Sequence, residues 1–98
     1  MTTKQRAYLK GLAMNIDSIF QIGKGGLTTE YLDGVEEALE ARELIKISVL
    51  KNCMDDPKEL AYAIAENTHS EVVQIIGKKI VLYREARQPE KRKIVLPK

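Results

Sequence analysis

Three glycines in four positions surround one lysine in Gly23-Lys24-Gly25-Gly26, although the 98-residue chain holds only 6 glycines. Where Cβ atoms are missing, backbone N–H groups can come close to an anion such as a phosphodiester, and the Lys24 ammonium adds charge at the centre of the run. The same four residues also suit a tight strand-to-helix turn that needs positive φ, and from these residues alone both readings stay open. The spacing is neither that of a nucleotide P-loop, which wants a lysine directly after the second glycine of G-x-x-x-x-G, nor that of G-x-G-x-x-G. Other reactive side chains are few. His69 is the single histidine, placed where a helix is expected to end, and Cys53 is the single cysteine; neither has a neighbour at catalytic or metal-ligand spacing. The carboxylates fall at the spacing of a solvated helix face. The chain is therefore expected not to be an enzyme, and to use no cofactor, no metal and no small-molecule substrate.

Composition sets the frame around that loop. At this length one small domain with a single core is expected, and a hydrophobic fraction of 44% with 31% charged residues fits a soluble globular protein. No apolar run approaches bilayer length and the N-terminal residues lack a signal-like apolar stretch, so no membrane partner is expected and the cytoplasm is the expected compartment. One cysteine cannot form an internal disulfide, and a monomer is assumed. The net charge is only +2, but it is unevenly spread. Up to Leu27 the chain carries four bases against Asp17. Residues 28–45 then carry six acids against Arg42, and residues 72–98 carry eight bases against two acids. If the termini meet in the fold, one positive face results, which a polyanion would seek.

The elements that must position the loop are legible from periodicity. Thr3 is a plausible cap for a helix over 3–13, with Tyr8 or Leu9, Leu12, Ala13 and Ile16 near helical spacing and Arg6 and Lys10 four apart on one face. A short strand with Phe20 and Ile22 on one side leads into the glycines. Thr28 or Thr29 caps a second helix whose apolar face is Tyr31, Val35, Ala38 and Leu39. Ile45, Ile47 and Val49 alternate with Lys46 and Ser48, the period of a half-buried strand. Asp56-Pro57-Lys58-Glu59 starts a third helix with Leu60, Ala61, Ile64, Ala65 and Thr68 inward. Two β-branched runs joined around Gly77-Lys78 read as a hairpin. The expected architecture is an α/β (α+β) single compact domain, order α-β-α-β-α-β-β, with a four-stranded mixed sheet packed with helices over residues 1–86. Residues 87–98 are expected to form a basic, mobile tail. Aromatic residues are sparse, and none lies in the strand motif through which an RRM stacks bases, so contact with the backbone and shape of a folded RNA fits better than readout of splayed bases.

Taken together, Lys4, Arg6, Leu9, Lys10 and Ala13 in the first helix, the run from Gln21 to Thr28, the run from Glu43 to Ile47 and the run from Ile76 to Arg84 resemble the CRM domain, named for chloroplast RNA splicing and ribosome maturation, in its stand-alone bacterial YhbY-like form. The resemblance covers roughly residues 3–86. It implies a fold similar to the C-terminal domain of a bacterial translation initiation factor, and RNA binding through a G-x-x-G loop made of Gly23, Lys24, Gly25 and Gly26. Arg6, Lys10 and Arg84 follow as basic neighbours, with Lys4, Lys46, Lys78 and Lys79 behind them; each also has a plain reading as surface charge. The implied partner is rRNA in precursors of the large ribosomal subunit, whose assembly the protein would assist. Two alternatives stand beside it: a translation or splicing accessory factor, and a module that docks its acidic helix of residues 28–42 on a basic ribosomal protein.

Overall fold

The computed structural model describes residues Met1–Lys98. Helix α1 (Thr3–Ala13) is capped by Thr2 rather than Thr3, because only Thr2 has a glutamine three residues on: its hydroxyl accepts from Gln5 N–H while the Gln5 side chain accepts from Thr2 N–H. Strand β1 (Phe20–Ile22) runs into the glycine loop, and Thr28 caps α2 (Thr29–Arg42) by accepting from Tyr31 N–H. Strand β2 (Leu44–Val49) follows, then α3 (Pro57–Thr68), capped by Asp56 with Pro57 in its first turn. The hairpin of β3 (Glu71–Ile76) and β4 (Lys79–Tyr83) turns at Gly77, whose φ of +55° suits glycine.

The sheet order is β1-β2-β4-β3, with β1 parallel to β2 and the other pairs antiparallel. The mixed four-stranded sheet and the element order are thus as expected from the sequence. Alternation along the strands splits the interior in two. Ile22, Ile45, Ile47, Val49, Ile80 and Leu82 face α2 and α3, meeting Val35, Leu39, Leu60, Ala61 and Ile64. Leu44, Val73, Val81 and Tyr83 face the other way, toward Leu9 and Ala13 of α1. A bulge between Val72 and Gln74 disturbs the β3 ladder, and Arg6 of α1 donates Nη1 to the carbonyls of Val72 and Val73 there.

The C-terminal residues depart from expectation. Residues 87–98 are docked, not free. Glu43, fully buried at the end of α2 with φ +66°, accepts from the backbone N–H groups of Ala86 at 2.7 Å, Lys93 at 2.7 Å and Ile94 at 2.9 Å. Glu40 accepts from Arg87 and Gln88 at 2.9 and 3.0 Å. A short 3₁₀ turn, Pro89–Lys91, then leads Ile94 and Leu96 onto the α1-side core, and Gln5 donates to the Pro97 carbonyl. Composition pointed to a loose tail because its lysines, arginines and prolines dominate; its backbone amides are what the two acids hold.

Candidate nucleic-acid interface

Parallel strands β1 and β2 end side by side, and each runs into a tight turn with a lysine at its second position. In the first, Gly26 N–H donates to the Gly23 carbonyl at 3.1 Å, closing a turn around Lys24-Gly25. In the second, Cys53 N–H donates to the Leu50 carbonyl at 3.0 Å, closing a turn around Lys51-Asn52. The two turns touch: a Cβ on Gly23 would lie 3.3 Å from Asn52 Oδ1, closer than side chains normally pack, and 3.5 Å from Leu50 Cδ1, an ordinary contact. The hairpin turn is tied to the same end, because Val49 N–H donates to the Lys78 carbonyl at 2.7 Å. Lys24, Lys51, Lys78 and Lys79 are all exposed and converge at this end of the sheet.

The glycines of the loop have separable causes. Gly23 is crowded by the Asn52 side chain, which would have to shift to admit a Cβ. Gly26 is required by its φ of +65°. Gly25 has neither reason: its φ lies outside the left-handed range and a Cβ there would meet nothing within 4 Å. Gly11 is equally open but lies inside α1, whereas Gly25 follows the exposed Lys24 in the turn that leads into α2. The N–H groups of Lys24 and Gly25 make no hydrogen bond within the protein, and the N-termini of α2 and α3 open toward this same end, where helix dipoles favour anions.

Charge compensation is sparse around these lysines. The three ion pairs of the structure involve only Arg84 or Arg92, so Lys4, Lys10, Lys24, Lys46, Lys51, Lys78 and Lys79 keep uncompensated charge. Acids stand at this end too: Asp55 Oδ2 lies 3.8 Å from the place a Cβ on Gly26 would take, Glu30 is in the first turn of α2, and Asp56 and Glu59 are at the start of α3. The largest surface hollow, about 590 Å³, lies elsewhere, between α2 and α3; Asp33, Glu36 and Glu37 line it, a wall that repels a polyanion.

Several sequence-based candidates are placed differently from expectation. Arg84 is not a neighbour of the loop. Only 8% exposed, it donates to Glu36 Oε2 at 2.9 Å and to the Thr68 carbonyl at 2.9 Å, and pairs with Glu40 at 3.5 Å. Its charge is spent inside the fold, because strand β4 points it toward the acidic helix rather than outward. Arg6, whose guanidinium serves the β3 bulge, does not share an outward face with Lys10 as the helical spacing suggested. Lys4 and Lys10 are exposed on α1, with Lys4 in the turn next to the docked C-terminus. Lys46 lies half-buried on the α1-side face of β2, and Lys79 donates Nζ to Ser48 Oγ at 2.6 Å. Lys51 escaped the sequence reading. Its signal was available: Lys51-Asn52 follows a strand and precedes a capped helix, the same succession as at Lys24-Gly25. The termini do meet, through Gln5 and Pro97, but at the far end of the sheet from the glycine loop. Five residue steps of β2 separate the two ends, roughly 17 Å.

At that far end the carboxylates are held ionised. Burial works against the Glu43 carboxylate, yet the amides of Lys93, Ala86 and Ile94, aided by Arg92, outweigh it and hold the group below the ordinary carboxylate value. The Arg87 and Gln88 amides do the same for Glu40. Burial, with Glu43 and Glu85 nearby, raises the Tyr83 hydroxyl.

Comparison with known proteins gives the family of the chain. The family model described as the CRS1 / YhbY (CRM) domain matches residues 1–84. The chain is 45% identical over 97 residues to "Probable RNA-binding protein YqeI" of Bacillus subtilis (strain 168), covering 99% of both chains. It is 38% identical to an "RNA-binding protein" of Haemophilus influenzae, covering all of this chain and 96% of the other. The solution structure of SAV1595 from Staphylococcus aureus superposes with a TM-score of 0.78 at 50% identity, covering 99% of each chain. These relatives carry names for binding RNA and none for a catalytic activity. A glycine loop at the end of a parallel strand pair, the mixed sheet with helices on both faces and the matched span lead to one assignment: this chain belongs to the CRS1 / YhbY (CRM) domain family.

Proposed function

We propose that this protein binds RNA through the turn Gly23-Lys24-Gly25-Gly26, and that its target is rRNA in precursors of the large ribosomal subunit, whose assembly it assists in the cytoplasm without chemical turnover. The observation that carries the loop assignment is Gly25, a glycine that neither backbone conformation nor packing demands, beside an exposed lysine and two unpartnered N–H groups. A sugar-phosphate strand lying flush on the turn supplies the missing reason. The names of the relatives support RNA as the ligand; the ribosomal setting is what the resemblance to the CRM domain implies. Docking of the acidic helix on a basic protein is less well supported, because Glu36 and Glu40 are engaged with Arg84 and the C-terminal amides.

If Lys24, Lys46, Lys51, Lys78 and Lys79 neutralise about five phosphates, log affinity falls against log salt with a slope of about −3.5 to −4.5. Lys24→Glu is expected to remove at least one unit of that slope and to weaken binding at least about tenfold, with thermal unfolding unchanged. Affinity that is insensitive to salt, or a Lys24→Glu variant that binds like the parent, contradicts the loop assignment. Sedimentation tests the setting separately: the protein is expected to travel with immature large subunits, and recovery on messenger RNA alone would refute the ribosomal role.

A further inference from the structure

The α1-side face of the sheet is not wholly covered. Beyond the end of α1 a hollow of about 110 Å³ opens, with Val81 at its floor and Met14, Ile76, Lys46, Lys79 and Gln74 around it. Met14 is 81% exposed and Ile76 59%, so two large apolar side chains stand in water on its rim. Cavities that hold free small molecules are typically about 300–1,000 Å³. This one suits a group protruding from something larger.

The polar rim tells what kind of group. Lys79 is held by neutral partners: Nζ donates to Ser48 Oγ at 2.6 Å and to Ser18 Oγ at 3.4 Å, and Ser48 donates onward to Ser18 at 2.7 Å. Its ammonium is thus positioned without being neutralised. Lys46 adds a second cation with no carboxylate partner, and no acid lines the hollow. Two cations over an apolar floor match a nucleotide, whose phosphate is anionic and whose base is flat and largely apolar. An aliphatic knob from a partner protein would leave both ammonium groups without use. Lys79 also directly follows Lys78 of the turn beside the glycine loop, so a strand crossing the loop reaches this face next.

We infer that the hollow takes one unpaired RNA base, packed between Met14 and Ile76, while Lys46 and Lys79 hold the adjoining phosphates. The inference rests on the RNA-binding reading and goes beyond it, because it adds a base contact to backbone recognition. Methionine and isoleucine can cover a base as an aromatic ring does, with less geometric selectivity. The Gln74 amide lines the hollow and makes no hydrogen bond within the protein; its paired donor and acceptor suit the edge of adenine.

Methyl and amide NMR of the full chain, titrated with octa-adenylate, octa-uridylate and linear polyphosphate, tests this. Octa-adenylate is expected to shift the Met14 and Ile76 methyls together with the Lys24 and Gly25 amides, more strongly than octa-uridylate; polyphosphate is expected to shift the amides alone. Ile76→Ser, at an exposed site, is expected to weaken octa-adenylate binding about fivefold and leave polyphosphate binding and thermal unfolding unchanged. Shifts confined to the loop amides with every probe overturn the base site and leave the loop reading standing. Methyl shifts without amide shifts overturn the loop reading and keep the base site. If the methyls respond to large-subunit ribosomal proteins and to no oligonucleotide, the hollow belongs to a protein contact and the inference fails.

Discussion

The two ends of the sheet use charge in opposite ways. At the end where β1 and β2 finish, lysines stand on three tight turns without acid partners, and the turn amides of Lys24 and Gly25 are left unbonded. At the other end the buried charges are used within the fold. Arg84 is clasped by Glu36 and Glu40, while Glu40 and Glu43 gather five backbone amides from residues 86–94. Unmet charge stores no folding energy but is ready for a ligand, whereas buried, hydrogen-bonded charge fixes the chain and offers a ligand nothing. Abundance of basic residues alone does not distinguish the two.

The comparison breaks most visibly at Arg84. Arg84→Met is expected to destabilise the fold by about 2–3 kcal/mol, because Glu36 and Glu40 lose their counter-charge and the Thr68 carbonyl its donor. The salt slope of RNA binding should stay that of the parent in the same variant. A shallower slope with unchanged urea unfolding would return Arg84 to the interface.

Acidification probes the carboxylate end next. Because Glu40 and Glu43 lie below their ordinary value of 4.5 in the folded state, their stabilisation is complete above that pH and is lost as pH falls through the lowered folded values. Hydrogen exchange should then show the amides of Ala86, Lys93 and Ile94 opening before those of β2 and β4. Stability that declines already between pH 7 and 5 would require a different titrating group.

The smallest effect, and the sharpest, separates neighbouring glycines. Gly26→Ala should cost about 1 kcal/mol of stability because of its positive φ, whereas Gly25→Ala should leave unfolding unchanged and weaken RNA binding severalfold. Unaltered affinity in Gly25→Ala would remove the close approach on which the loop assignment stands.

Much of the architecture was written locally. The inward stripe Leu60, Ala61, Ile64, Ala65 and Thr68 matches the buried residues of α3, and Ile45, Ile47 and Val49 are buried as their alternation requires. Helical and extended backbones have fixed periods, so apolar spacing carries their faces directly. The Asp56-Pro57 start and the Gly77 turn are equally local, set by capping and by φ. The site was only half legible. The glycine run marked the loop, yet Lys51 comes beside it only through the parallel pairing of β1 with β2, and Lys78 only because β4 lies next to β2.

The sequence by itself determined which segments are helix or strand, which faces turn inward and where a chain without bulky side chains could meet an anion, since each of these depends on neighbours within a few residues. Only the tertiary structure decided which cations remain free. Arg84 and Lys24 are both basic residues beside a turn or a strand end, but one meets acids 48 and 44 residues away in sequence and the other meets none. Pairing of charges depends on distance in space, and spacing along the chain does not encode it.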